Sequence, residues 1–232
     1  MDGWGYWPAE LEVRRRRGGR PRLRGRFPYS SGPGRGMATV RDRGRVRKER
    51  IEAGAFDYSI RRYHELQEQI AEAIQSSIDQ ARLEIMRQEL DRRNVDILAG
   101  HDFDKPLGSL RGGATITSSR EALEFDVELP DESAQPSYMR DTVLQIESGL
   151  AGGISPGFRV PPKGTVPDAE TLEPEPGNEA VQVRVIREAV LVELSIVTRP
   201  AYSATGVDVR ELEHTGSGPG MNDRLGGVLG WL

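Results

Sequence analysis

Cysteine is absent from the 232 residues, which excludes a disulfide scaffold, thiolate zinc or iron–sulfur sites and a cysteine nucleophile. Histidine is scarce: His64, His101 and His214 are too dispersed for a convincing metal cluster, so neither a metal nor a cofactor is expected. No run of 18 apolar residues exists, so no membrane-spanning helix is expected. The N-terminus is basic but lacks the apolar core of a secretory signal, and an intracellular protein is expected. The length suits one ordinary domain with appendages rather than two full domains.

What is present is unevenly distributed. Residues 1–36 hold nine Arg against three acidic residues, a balance of +6, so the remainder carries −10 of the net −4. This first segment is rich in Arg, Gly and Pro and shows no periodic apolar pattern, which predicts a disordered Arg-rich leader. It reads either as a nucleic-acid-binding arm or as an unstructured leader ahead of a start at Met37. The second reading is preferred because no aromatic residues alternate with the Arg run, and residues 1–36 are then expected to be dispensable. A single domain is expected over 37–205, followed by a flexible Gly-rich tail over 206–232.

Two periodicities divide the central part. From Ile60, apolar residues recur at Tyr63, Leu66, Ile70, Ile74, Ile78, Ala81 and Ile85, which predicts one amphipathic helix of about thirty residues near 60–93. Its stripe either packs on its own domain, the expected use, or forms a partner-binding seam, and His64 reads as a surface residue. After Asn94 short strands take over, at Val95–Ala99, 113–117, and where Leu123, Phe125, Val127 and Leu129 alternate with carboxylates. A helix follows with Met139, Val143, Ile146 and Leu150 on one face, Ser137 as its N-cap and Gly149 near its end. Strands are expected at 151–160, 180–187 and 189–198, with a Pro-rich acidic loop over 161–179. The sum is an α+β, mainly β domain, most simply a barrel or closed sheet.

Three residues stand out chemically. Ser155 lies in Gly153-Ile-Ser-Pro-Gly157, a match to the G-x-S-x-G nucleophile elbow. The hydrolase fold behind that motif is rejected, because Phe158-Arg-Val160 continues as strand and Pro156 has no N–H to offer an oxyanion. Taken alone, Ser155 reads better as a residue of a Ser-Pro-Gly turn. His101 ends an apolar strand and begins a polar loop, Asp-Phe-Asp-Lys-Pro, a setting that suits a general base or an ordinary surface histidine. Glu193 interrupts the apolar run Val190–Val197; it either faces water or holds a hydrogen-bond partner, such as a histidine whose tautomer it fixes. Ser195 shares a strand face with Glu193 and competes with Ser155 as nucleophile.

Together, His101 in Ala-Gly-His-Asp, Ser155 in Gly-Gly-Ile-Ser-Pro-Gly-Phe and Glu193 in Val-Glu-Leu-Ser-Ile-Val-Thr-Arg-Pro-Ala form three ordered blocks. They resemble the prohead (capsid maturation) serine proteases of tailed bacteriophages, which are distantly similar to the herpesvirus protease assemblin. Glu52-Ala-Gly-Ala-Phe56 is similar to that family's N-terminal strand segment, and the resemblance spans about residues 49–205. It implies a herpesvirus-protease-like β-barrel with flanking helices. It also implies a serine endopeptidase that cleaves scaffold and major capsid precursors, and its own chain, inside the assembling procapsid in the bacterial host cytoplasm. Ser155 would be the nucleophile, His101 the base and Glu193 the residue that orients it. Thr198 and Arg199 are candidates for oxyanion stabilisation or for the cleft, with Ser195 a packing or cleft neighbour. The implied partners are capsid precursor and scaffold proteins, with self-association also in view; nucleic acid is suggested only by the Arg-rich leader, and no membrane is implied. The sequence departs from the family in the long helix, in Pro156 and in the leader. The helix and the leader feed a rival expectation, a non-enzymatic capsid scaffold or nucleic-acid-packaging protein.

Overall fold

The computed structural model describes residues 10–14, 20–29, 37–42, 45–76 and 79–200. The tail expected over 206–232, and its self-removal, lie outside them. In chain order the strands are β1 (Glu10–Arg14), β2 (Arg22–Pro28), β3 (Met37–Asp42) and β4 (Arg45–Ile51). Helices α1 (Asp57–Gln75) and α2 (Gln80–Arg92) follow, then β5 (Asp96–Ala99), β6 (Asp102–Ser109), β7 (Thr115–Ser118) and β8 (Ala122–Glu128). Helix α3 (Ser137–Glu147) precedes β9 (Gly153–Arg159), β10 (Glu170–Glu175), β11 (Asn178–Ile186) and β12 (Val190–Val197).

These strands make three four-stranded sheets, ordered β1-β2-β8-β7, β10-β11-β4-β3 and β6-β5-β12-β9. The mixed, mainly β architecture matches the sequence expectation, but the sheets do not close into a barrel. All three sheets feed one core, in which Leu23, Phe125, Ile51, Ile186, Ile97 and Ile154 are all nearly inaccessible. Helix α1 lays Ile60 and Tyr63 on this core and α3 adds Met139 and Val143. In the third sheet β12 is central, parallel to β5 and antiparallel to β9. That placement lets three separate segments of chain meet on one surface.

The segment expected to be a disordered leader contains a strand of the core. Along β2, Leu23, Gly25 and Phe27 point inward while Arg22, Arg24 and Arg26 point outward, the period of two that a half-buried strand requires. The strand pairs in register with β8, and the outward arginines meet its carboxylates. Arg22 and Arg24 both reach Asp126, at 2.9 and 2.5 Å, and Arg26 reaches Glu124 at 3.1 Å. These arginines complement a neighbouring strand, which a count of charges alone does not reveal.

The long helix expected near 60–93 is two helices. Helix α1 ends at Gln75, and Asp79 before α2 has an extended backbone (φ −53°, ψ 129°). At the end of α1 the Ser76 hydroxyl donates to the Ala73 carbonyl at 3.2 Å, a side-chain bond that competes with continuation of the helix, so α1 stops without Gly or Pro. The helices pack together through Leu66, Ile70, Ala73 and Leu83. Ile74, beside the buried Ala73 at the end of α1, and Ile85, beyond the break, were both expected to be apolar contacts and are exposed. Strand β10 likewise forms within the stretch expected as loop, paired along β11.

Candidate active site

His101 sits at the tip of a hairpin rather than at the start of a loop, because Asp102–Ser109 forms β6 and pairs back on β5. The hairpin closes through two residues only, Gly100 and His101, and both have positive φ (70° and 62°). That pair of left-handed residues is what a two-residue hairpin turn of the primed type demands. Gly100 takes the conformation freely, whereas His101 does so against a penalty of about 1–3 kcal/mol. The turn is docked on β12, where the Gly100 N–H donates to the Ile196 carbonyl at 3.0 Å.

Glu193 comes from β12 and is 6% exposed. Its carboxylate accepts a hydrogen bond from His101 Nδ1–H at 2.6 Å through Oε1, and another from the Ser195 hydroxyl through Oε2. A carboxylate can only accept when ionised, so the proton lies on Nδ1 and the neutral ring keeps Nε2 free as a base. The hydrogen bond to Glu193 raises the His101 pKa above its ordinary value; burial pulls the other way and the Glu193 charge adds to the rise. This is the arrangement expected for a general base with an orienting acid.

Ser155 lies on β9 directly opposite Ser195 of β12. Opposed residues share a face, with Cβ atoms about 4.5–5.5 Å apart, so Ser155 joins the face that carries Glu193 and Ser195. It is buried and continues a strand, as the rejection of the elbow anticipated. Among the described residues no hydrogen bond links its hydroxyl to His101. Catalytic hydrogen bonds without substrate are often long and tighten only when substrate binds.

The glycines flanking Ser155 serve purposes that the sequence does not reveal. A Cβ on Gly157 would lie 2.4 Å from Glu193 Oε1, so Gly157 is the space in which the carboxylate sits. Gly153 similarly faces the Pro200 ring. A bulge between Leu191 and Glu193 also breaks the simple alternation of β12: Leu191 joins the core with Leu194 and Ile196 instead of sharing the Glu193 face. Thr198 and Arg199 are exposed just past β12 and line a cleft of about 690 Å³ with Gly100, Lys105, Tyr138 and Asp141. The cleft touches the His101 turn through Gly100, but Ser155, His101 and Glu193 are not among its lining residues. His64 is exposed on α1, with Nδ1 3.3 Å from the Gln67 side-chain oxygen, apart from this site.

No curated protein and no solved structure matches the chain. A family model does: that of the caudovirus prohead serine protease matches residues 46–217, a span that holds His101, Ser155 and Glu193 together with both neighbours of the turn. The chain belongs to the caudovirus prohead serine protease family.

Proposed function

We propose that this chain is a serine endopeptidase in which Ser155, His101 and Glu193 form the catalytic triad. The carrying observation is the 2.6 Å bond from His101 Nδ1–H to a buried carboxylate, beside a serine on the facing strand. Family membership supports a role in capsid maturation in general. The finer reading names the substrates as scaffold and major capsid precursors and the enzyme's own chain, met inside the procapsid in the host cytoplasm. Among the described residues no helix is long and apolar enough to cross a membrane.

In this reading the Ser155 hydroxyl proton passes to His101 Nε2 as Oγ bonds to the scissile carbonyl carbon. The C–N bond then breaks and Nε2 returns the proton to the leaving amine. Water, deprotonated by the same nitrogen, attacks the acyl ester and frees Ser155. Glu193 holds the ring and stabilises the imidazolium throughout. Pro156 cannot donate to the oxyanion, and Thr198 with Arg199 at the end of β12 are the proposed source of that stabilisation. Ser195 is disfavoured as nucleophile because its hydroxyl already donates to Glu193 and accepts the His101 backbone N–H at 3.0 Å.

Co-expression with the capsid precursor of the same phage tests the assignment. The unaltered chain is expected to yield a shortened precursor, whereas Ser155→Ala and His101→Ala yield none although both fold. A shortened product from Ser155→Ala would remove Ser155 from its role.

A further inference from the structure

Ser195 is fully buried, and its hydroxyl uses both its donor and an acceptor lone pair within the site. The His101 backbone N–H donates to it at 3.0 Å, while it donates to Glu193 Oε2. The imidazole Nδ1–H of the same histidine donates to Glu193 Oε1, so three hydrogen bonds close a ring through His101, Ser195 and Glu193. Each bond holds something that the strands alone leave free. The first fixes a backbone held at φ 62°, where a non-glycine residue gains nothing locally from staying. The second stops the carboxylate from rotating about its last torsion, which would lift Oε1 from the imidazole.

We propose that Ser195 is a positioning residue, whose hydroxyl locks the His101 turn and the Glu193 carboxylate into one rigid unit. The proposal rests on the proteolytic reading above and adds to it a fourth side chain that touches neither substrate nor the reacting atoms. The geometry favours this over simple filling of space, since an alanine would fill the strand position almost as well and make none of the bonds. It also predicts an electrostatic effect. A hydrogen bond donated to Glu193 draws part of the carboxylate's negative charge away from the ring. Other charged groups beside the turn are occupied elsewhere: Asp102 pairs with Lys105 at 2.9 Å, and Asp96 accepts from Asn94 at 2.8 Å. Glu193 is therefore the carboxylate to which the ring responds.

The test compares the unaltered chain with Ser195→Ala and Ser195→Thr, using ring ¹⁵N titration of His101, assigned with His101→Gln, beside precursor processing. Ser195→Ala is expected to titrate His101 at higher pH and to process the precursor about ten-fold or more slowly. Ser195→Thr, which keeps the hydroxyl, is expected to bring the titration back toward that of the unaltered chain. An unchanged His101 titration in Ser195→Ala, or a Ser195→Thr chain that titrates as Ser195→Ala does, overturns the proposal. The titration needs no turnover, so the two readings fail separately. A chain that cleaves nothing yet shifts on Ser195→Ala removes the protease reading and leaves the positioning role.

Discussion

At the scale of single residues, the site depends on room as much as on reactive groups. A methyl on Gly157 would lie 2.4 Å from Glu193 Oε1 and 2.7 Å from its Cγ, so the whole carboxylate must move. The fold does not need that glycine for its backbone, because β9 is extended there. Gly157→Ala is therefore expected to fold and melt much like the unaltered chain, while processing falls roughly 100-fold, the scale set by misplacing a catalytic group by about an ångström. Normal processing by Gly157→Ala would show that Glu193 is not needed where it stands. The pH dependence follows from His101, whose pKa is raised above 6.5 chiefly by the Glu193 hydrogen bond. A base must be neutral, so kcat/KM is expected to rise with pH through that raised value. The stabilisation from the pair runs the other way: it is full below the unfolded-state value and is lost as pH rises through the folded one. Glu193→Gln removes the charge and leaves only a neutral hydrogen-bond acceptor against the effect of burial, so the acid limb of kcat/KM is expected to move to lower pH. The rate should drop by about 10²–10⁴. A limb that stays put in that variant would break the link between Glu193 and His101.

At the scale of elements, what could be read from the sequence followed how cleanly each pattern announced itself. Strand β8 alternates apolar and acidic residues, and its place was plain. Strand β2 has the same period, but its outward positions are Arg and its inward ones include Gly25, so composition hid the alternation. Strand β6 opens on Asp-Phe-Asp-Lys-Pro, whose polarity resembled a loop; its first half is exposed and held by pairing with β5 rather than by burial. Glu193 was legible because a carboxylate is out of place in an apolar strand, Ser155 because of its glycine-flanked motif, and His101 because it closes an apolar strand. The roles of Gly157 and Ser195 were not, since they depend on which strands become neighbours. The helical hairpin yields its own prediction. Leu83 is the one buried residue of α2, and with Leu66, Ile70 and Ala73 it forms a small cluster distinct from the main core. Leu83→Ala is expected to cost about 2–4 kcal/mol locally. Hydrogen exchange should then speed up in α2 and the second half of α1, while the strands around His101 keep their protection and processing continues. Loss of protection in β12 would show that the hairpin and the main core unfold as one.

For the whole molecule, three open sheets share one core, so the loss of one central strand is felt in all of them. Strand β2 lies between β1 and β8, ahead of the segment matched by the family model, and was expected from composition to be dispensable. Removing residues 1–36 takes away Leu23, Phe27 and Tyr29, which are 0%, 5% and 4% exposed. At about 1.5–3 kcal/mol for each buried side chain, their burial is worth roughly 5–9 kcal/mol. That is comparable to the whole net stability of a typical domain, about 5–15 kcal/mol. The arginine pairs on the outer face add at most about 1 kcal/mol each and do not alter the balance. The backbone of β8 would also lose its β2 partner along Ala122–Glu128 while keeping β7, leaving the N–H and C=O groups of that edge facing water and an exposed apolar face. A chain beginning at Met37 is therefore expected to lack a cooperative unfolding transition and to process nothing, although it keeps His101, Ser155 and Glu193. A chain beginning at Arg20 retains β2 and, among the described residues, loses only β1, whose Leu11 and Val13 are partly buried, so it should still fold and cleave at lower stability. Urea titration of both chains, followed by circular dichroism, separates the outcomes. A Met37 chain with the midpoint of the unaltered protein would return residues 1–36 to the role of a dispensable leader.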